Sequence, residues 1–201
     1  FGADLGAEKF MNIKCGYSGL KPDALVLVAT IRALRHHGGA KKAEYNTPSL
    51  EKVKKGFENL EKHIENCKKF GLTPIVAINH FISDSEEEMD FVKMECAKHG
   101  VSAIISDCWA RGGDGMTEIA QAVVDIIESG INHFKPLYDW SLSVEEKIRI
   151  IAREIYGADD VEYSPKAREG LKMIKELGFD GLPVCMAKTQ KSFSDNENKI
   201  G

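Results

Sequence analysis

Two aromatic residues, Phe81 and Trp109, each stand two or three positions after an apolar run that predicts a β-strand. If those strands are neighbours, the two rings can face each other across a slot for a flat heterocycle, and each aromatic contact adds roughly 0.5–1.5 kcal/mol beyond area burial. The glycines Gly112, Gly113 and Gly115 follow Trp109 and would let the backbone approach such a ligand closely. Alternatively, both rings close the top of the hydrophobic core, and the residues alone leave the two interpretations open.

A second candidate pair is Asn79, at the end of the first of these apolar runs, and Asp84. An amide and a carboxylate complement the donors and acceptors of a purine ring, so both residues are candidate nucleotide contacts. The alternative for Asp84 is an Asx turn and a helix N-cap, because the acidic segment 85–88 is typical of a first helical turn. We favour the cap for Asp84, whereas Asn79 remains a candidate ligand contact.

Other polar residues give weaker signals. The opening stretch FGADLGAEKF contains Asp4 and Glu8, but the spacing of its glycines matches neither phosphate-binding signature. His36 and His37 have no carboxylate or cysteine at metal-ligand spacing, which favours solvated loop residues over a metal site. The sequence contains neither G-x-S-x-G nor H-E-x-x-H, so it indicates neither a serine hydrolase nor a zinc protease.

The composition is that of an ordinary globular protein. Of 201 residues, 43% are hydrophobic and 29% charged, and the formal net charge of −4 argues against a nucleic-acid partner. No apolar run approaches the roughly 18 residues that cross a bilayer, so we expect no membrane partner. Five widely spaced cysteines, an odd number without a C-x-x-C pair, favour free thiols in a reducing cytoplasm.

These candidate residues must be positioned by an alternation of strands and helices. The alternation predicts an α/β fold with β-α-β crossovers, a parallel sheet and helices on both faces. The run 24–29 is uniformly apolar, which predicts a strand buried on both faces. Ligands of such sheets bind at the carboxyl ends of the strands, near the point where strand order reverses. The predicted strands are 24–29, 73–79, 101–106 and 182–189, and the predicted helices are 47–71, 85–100, 115–130, 143–157 and 164–179.

The alternation of predicted strands and helices stops after residue 134, where two predicted helices follow each other without an intervening strand. We therefore place a boundary near 132–140 and divide the chain into 1–134 and 135–201. The first range is expected to be the C-terminal part of a nucleotide-binding α/β domain with the ring-binding region. The second is expected to begin another α/β subdomain.

Several stretches together resemble the formate–tetrahydrofolate ligase family, also called 10-formyltetrahydrofolate synthetase. The resemblance covers essentially all 201 residues, and VATIRALRHHGG is close to a family signature. It implies a P-loop-NTPase-like fold, with a parallel sheet of mixed edge, in a cytoplasmic homotetramer. The stretches that carry the resemblance are FGADLGAEKF, VATIRALRHHGG, NLEKHIENCKKFG, AINHFISD, IYGADDVEYSPKA and LPVCMAKTQKSFSD.

The activity implied by this resemblance is an ATP-dependent ligation in one-carbon metabolism. Formate and tetrahydrofolate would give 10-formyltetrahydrofolate, ADP and phosphate through formyl phosphate, with Mg²⁺ and a monovalent cation as further cofactors. Phe81 and Trp109 match the aromatic pair that sandwiches the folate or purine ring. Asp4 and Glu8 match a loop near the phosphate region. Residues that match the lining of the ring pocket are Asn79, Ser106, Asp107, Gly112 and Gly113.

Family members are longer than this chain, and their phosphate loop ending in G-K-[ST] has no counterpart in the 201 residues. The main phosphate-binding residues are therefore expected outside this sequence, and the chain alone is expected to be inactive. The alternative is a non-catalytic ring-binding or oligomerisation module derived from such an enzyme. Arg32 and Lys188 lie in matching motifs, but the sequence gives neither residue a role.

Three positions depart from the family pattern. Arg35 stands where lysine is usual, and such a change is tolerated better by a point-charge contact than by a shaped one. Gly16 replaces a frequent arginine, so any contact made by that arginine is lost. His80 replaces a small residue beside Phe81, and it either narrows the predicted slot or points away from it.

Overall fold

The computed structural model describes residues 3–187 and 193–194, which form two compact units. The first unit contains residues 3–21, 135–187 and 193–194, and the second contains residues 22–134. Lys188 lies outside the described residues. The assignment of a nucleotide-binding function to 1–134 and of a second subdomain to 135–201 stays a prediction.

The second unit is built on a parallel three-stranded sheet, which confirms the predicted α/β class. Strands β1 (Val26–Ala29), β2 (Ile75–Asn79) and β3 (Ala103–Ser106) lie in the order β1-β2-β3. Within the described sheet the strand order follows the sequence, so the expected reversal of strand order has no counterpart there. The strand order therefore does not locate a binding site, and the candidate site is identified from the residues at the carboxyl ends of the strands.

Helices of the second unit flank its sheet. Across both units, the five predicted helices lie within three residues of their predicted bounds, and four further helices of the described residues were not predicted. The helices are α1 (Ala3–Lys9), α2 (Gly16–Ser18), α3 (Ile31–His37), α4 (Leu50–Lys69), α5 (Glu86–Lys98), α6 (Cys108–Arg111), α7 (Thr117–Ser129), α8 (Val144–Tyr156) and α9 (Pro165–Glu176). A π-helical segment spans Phe10–Cys15, and short 3₁₀ segments span Lys42–Glu44 and Gly112–Met116. No helix of the described residues is both long and apolar enough to span a bilayer.

The core of the second unit contains most of β2 and one face of α4. Strand β2 is buried from Ile75 to Ile78, as the uniformly apolar run predicts. Helix α4 presents one apolar stripe to the core, at the helical spacing seen in the sequence. The buried apolar residues of this stripe are Val53, Phe57, Leu60, Ile64 and Cys67.

Strand β1 is buried on one face only, so the prediction of burial on both faces is wrong. Leu27 and Ala29 are buried, whereas Val26 is 40% exposed and Val28 is 64% exposed. The reason is that Val26 and Val28 lie on a face of the sheet that no layer of the described residues covers. A uniformly apolar run does not reveal whether a second layer covers both of its faces.

The predicted N-cap of α5 is also wrong by one residue. Ser85 is the cap, since its Oγ accepts a hydrogen bond from the Glu88 N–H and the Glu88 carboxylate accepts one from the Ser85 N–H. This reciprocal arrangement satisfies two helix-terminal N–H groups. Asp84 is thereby left free to bond elsewhere.

In the first unit, the described part of the predicted strand 182–189 forms no strand. Side chains bond its backbone instead of a neighbouring strand. The Val184 N–H donates to the Tyr138 hydroxyl at 3.1 Å, and Lys147 Nζ donates to the Leu182 carbonyl at 3.0 Å. Lys147 is itself fully buried on α8, so this segment is held by fixed polar partners.

Candidate functional site

The two strands that precede Phe81 and Trp109 end side by side. Asn79 and Ser106 are register partners in the parallel ladder, and the His80 N–H donates to the Ser106 carbonyl at 3.0 Å. The loops that carry Phe81 and Trp109 therefore leave from adjacent positions on one edge of the sheet. We refer to this place, defined by Asn79, Phe81, Ser106, Asp107 and Trp109, as the carboxyl-edge site.

Trp109 is presented to solvent at this site. It lies in α6 and is 80% exposed, which is inconsistent with a ring that closes the core. Its loop is held by the Asp107 N–H, which donates to the Gly115 carbonyl at 3.2 Å. A Cβ on Gly115 would collide with the carbonyl oxygen of Asp107, so this close return of the chain requires glycine.

The predicted pocket-lining residues differ in what they offer a ligand. Ser106 is buried and its hydroxyl donates to Met116 Sδ at 3.0 Å, so its side chain supports the loop. The side-chain amide of Asn79 has no hydrogen-bond partner among the described residues and is half-buried. Gly112 and Gly113 have no neighbouring heavy atom where a Cβ would lie, so their backbone is open to an approaching group.

Phe81 is half-buried and is held through both its ring and its backbone. The guanidinium carbon of Arg32 lies 4.1 Å from the centroid of the Phe81 ring, within the range of a cation–π contact. The Phe81 N–H donates to Asp84 Oδ2 at 2.9 Å, and the Asp84 N–H donates to the Phe81 carbonyl at 2.8 Å. Asp84 thus closes the turn that carries Phe81 and does not cap a helix.

A buried ion pair lies beneath this turn. Arg35 and Glu88 have fully buried side chains, and Arg35 donates to both carboxylate oxygens, from Nε at 2.8 Å and from Nη2 at 2.5 Å. The guanidinium also donates to the carbonyls of Tyr45 at 2.7 Å and Ser83 at 3.0 Å, and Nη1 lies 3.7 Å from Asp84 Oδ1. This is a shaped contact, in which a planar fork meets a carboxylate and two carbonyls.

The electrostatics of this cluster follow from burial and hydrogen bonding. Burial alone would raise the pKa of Glu88, but hydrogen bonds from Arg35 and from two serines outweigh it and lower that pKa to about 2. Burial raises the pKa of Asp84, and the Phe81 N–H and the charge of Arg35 offset this only in part. Glu88 is therefore the carboxylate that is held firmly ionised.

His80 joins the ends of β2 and β3. Its Nδ1 lies 3.5 Å from Asp107 Oδ1, and the two side chains are 31% and 29% exposed. Of the two orientations expected for His80, the structure has the side chain directed toward Asp107. His80 and Asp107 thus form a partly exposed histidine–carboxylate pair at the carboxyl-edge site.

Asp4 and Glu8 belong to the first unit, where both are buried on the N-terminal helix. Glu8 Oε1 accepts from Asn12 Nδ2 at 2.8 Å, and burial raises the pKa of Glu8. Burial, together with the charges of Asp4 and Glu8, raises the pKa of Tyr156. Two buried carboxylates do not suit direct contact with a phosphate group, and their assignment to the phosphate region stays a prediction.

Gly16, where the resemblance led us to expect an arginine, lies against the Trp140 side chain in the first unit. A Cβ at this position would lie 2.9 Å from Nε1 of Trp140, whose N–H donates to the Asn12 carbonyl at 3.1 Å. An arginine at position 16 would require this indole to move. The observed position of the Trp140 indole therefore requires glycine at position 16.

The part of the chain that the structure describes contains no group of three or more His, Cys, Asp or Glu side chains able to hold a metal ion. The Mg²⁺ and monovalent cation implied by the resemblance thus have no such ligand set there. The sequence missed two features of the site, the Arg32–Phe81 contact and the Arg35–Glu88 pair. The only sequence signal for either was that both arginines lie within the signature-like stretch after β1.

One comparison addresses the identity of the chain as a whole. A family model described as formate–tetrahydrofolate ligase matches residues 1–201. The match extends over both compact units and includes every residue of the carboxyl-edge site. The chain therefore belongs to the formate–tetrahydrofolate ligase family, whose members form a carbon–nitrogen bond between formate and tetrahydrofolate with ATP as an energy source.

Proposed function

We propose that the carboxyl-edge site binds the flat ring of tetrahydrofolate or of the adenine nucleotide, between Phe81 and Trp109. The observation that carries this proposal is the register of β2 and β3, which pairs Asn79 with Ser106 and brings both aromatic loops to one edge. The high exposure of Trp109 adds support, because an indole without a packing role is available for stacking.

The polar residues of the site complement a heterocycle. The unpartnered Asn79 amide offers a donor and an acceptor to the ring edge. Asp107 offers a carboxylate beside Trp109, and the open backbone at Gly112 and Gly113 admits a close approach. Together these groups would fix the orientation of the ring while the aromatic side chains supply most of the contact area.

The reaction that we propose for the complete enzyme has two steps. A formate oxygen attacks the terminal phosphorus of ATP and ADP leaves, giving formyl phosphate. The N10 amine of tetrahydrofolate then attacks the formyl carbon, phosphate leaves, and the nitrogen loses a proton, giving 10-formyltetrahydrofolate. Mg²⁺ would supply charge neutralisation during phosphoryl transfer.

The contribution of this chain to that reaction is positioning. Holding a ring in a fixed orientation lowers the entropic cost of bringing two reactants together. The sequence has no G-K-[ST] phosphate loop, so we propose that groups outside these residues handle the phosphates and that the 201 residues alone do not turn over. We further propose that the complete enzyme is a cytoplasmic homotetramer that uses a monovalent cation.

Replacing Phe81 or Trp109 by alanine in the complete ligase tests the ring-binding proposal. Each change should raise the Kd of the ring ligand by roughly two- to twelvefold, the factor for loss of one aromatic contact of 0.5–1.5 kcal/mol. Calorimetric titrations with tetrahydrofolate and with an adenine nucleotide, done separately, will show which ring is bound.

A suitable control is Phe179→Ala, which removes an exposed aromatic side chain of the first unit. It should leave both affinities unchanged. The proposal would be wrong if Phe81→Ala and Trp109→Ala left both affinities unchanged and strongly lowered the melting temperature. The two rings would then have a purely structural role.

A further inference from the structure

The Arg32 side chain covers one face of Phe81. Its guanidinium carbon lies 4.1 Å from the ring centroid, closer than the roughly 6 Å limit for a cation–π contact. An aromatic ring has two faces, so a ligand that stacks on Phe81 must take the face opposite Arg32.

The guanidinium is not held at this place by an ion pair. Arg32 makes no salt bridge or side-chain hydrogen bond with the described residues, and its Nε is buried without a partner there. Its backbone is fixed, however, because it lies in the first turn of α3, where Thr30 Oγ1 accepts from the Ala33 N–H at 3.1 Å. Among the described residues, the main interaction of the Arg32 guanidinium is therefore its contact with the Phe81 ring.

The remaining freedom of Phe81 is also restricted. Its N–H is bound by Asp84, whose side chain is fully buried beside Arg35. With the backbone fixed by Asp84 and one ring face covered by Arg32, the ring plane is defined before a ligand arrives. Such preorganisation reduces the ordering cost of binding.

We propose that Arg32 is a positioning residue of the carboxyl-edge site, which orients the Phe81 ring and leaves one face for the ring of the ligand. The inference rests on the proposed ring-binding function. It differs from a direct role, in which the Arg32 charge would contact an anionic group of a substrate. The two roles predict different couplings between Arg32 and Phe81.

A double-mutant cycle in the complete ligase separates them. The variants are Arg32→Met, Phe81→Ala and the combination of both, with Kd for the ring ligand measured by calorimetry. Arg32→Met should raise Kd roughly two- to fivefold, as expected for a partly exposed cation–π contact of 0.5–1 kcal/mol. In the Phe81→Ala background the same change should have no further effect, because the ring that Arg32 orients is gone.

Two further variants sharpen the test. Arg32→Lys should keep Kd within about twofold of the parent, because an ammonium group can also lie over the ring. Arg168→Gln, an exposed arginine of the first unit, is the control for loss of a positive charge and should not change Kd. If Arg32→Met does not fold, Arg32→Gln replaces it in the cycle.

The outcomes are distinguishable. Equal effects of Arg32→Met in both backgrounds, or no effect when Phe81→Ala does weaken binding, would overturn the positioning role and leave the Phe81 site intact. Unchanged binding in Phe81→Ala itself would refute the proposed ring-binding function, and the role of Arg32 with it. The inference is supported if Arg32→Met has no effect on Kd in the Phe81→Ala background and Arg32→Lys keeps the Kd of the parent. A Kd change caused only by loss of fold stability would not be reversed by placing another cation at position 32.

Discussion

The buried pair of Arg35 and Glu88 gives the sharpest stability prediction. Arg35→Met would remove a guanidinium that donates four hydrogen bonds, two of them to Glu88. It would leave the Glu88 carboxylate buried without a counter-charge, beside the buried Asp84. Arg35→Lys would keep the positive charge, but an ammonium group has no planar fork to donate to both carboxylate oxygens of Glu88.

The magnitude follows from the pKa of Glu88, which lies at about 2 instead of 4.5. Because each pKa unit is worth about 1.4 kcal/mol, ionised Glu88 contributes on the order of 3 kcal/mol to folding at neutral pH. Removing one partner of a buried ion pair typically costs about 3–5 kcal/mol, which agrees. For Arg35→Lys we expect about 2 kcal/mol, since part of the hydrogen bonding survives.

The same pair predicts a pH dependence. The lowered pKa of Glu88 means that its contribution is complete above its ordinary value of 4.5 and is lost as pH falls toward about 2. The raised pKa of Asp84 acts in the opposite direction, because the folded state then takes up a proton more readily as pH falls. In Arg35→Met the loss of stability between pH 5 and pH 2.5 should therefore be smaller than in the parent protein.

The assay is urea unfolding followed by circular dichroism at several pH values. Amide hydrogen exchange of the buried β2 strand would assign the change to the second unit. Arg149→Lys is the matched control, because Arg149 pairs with Asp160 at 3.2 Å on the surface and should change the unfolding midpoint little. An Arg35→Met protein that unfolds within about 1 kcal/mol of the parent, with unchanged pH dependence, would refute the reasoning.

Two further predictions concern single residues. Gly115→Ala should displace the loop of Trp109 and weaken ring binding in calorimetry, because its Cβ would collide with the Asp107 carbonyl, whereas Gly170→Ala, with open space at its Cβ, should not. In native protein, a thiol reagent should label the exposed Cys108 rapidly. It should label Cys67 only after unfolding, because burial raises the pKa of that thiol to about 12; rapid labelling of Cys67 in native protein would contradict its burial.

Features encoded locally were predictable from the sequence. The apolar period of α4 predicts a helix with one buried stripe, and the last two predicted helices, 143–157 and 164–179, are present with bounds close to the prediction. The predicted slot between Phe81 and Trp109 required β2 and β3 to be neighbouring strands. The pairing of Asn79 with Ser106 meets that condition.

Features that depend on distant partners were not predictable. Whether Val28 is covered depends on what packs on the sheet, and whether 182–187 forms a strand depends on a neighbouring strand. Asp84 was assigned to the helix that follows it, but Ser85 competes for the same helix-terminal N–H groups. The Asp84 carboxylate instead accepts a hydrogen bond from the N–H of Phe81, three residues earlier. The charge of Arg35, which lies beside the same carboxylate, comes from a distant part of the chain and could not be predicted from the local sequence.

The signature-like stretch after β1 gains a physical meaning from these contacts. Arg32 and Arg35 are three residues apart on α3, a spacing that places two side chains on neighbouring parts of one helix surface. Arg32 covers the ring of Phe81, while Arg35 donates to the Ser83 carbonyl and lies beside Asp84. One helical turn thus fixes both the ring and the backbone of the loop that follows β2. A stretch with no phosphate loop and no described metal ligands can therefore fix the loop that carries Phe81, and under the proposed function this loop sets the geometry for stacking.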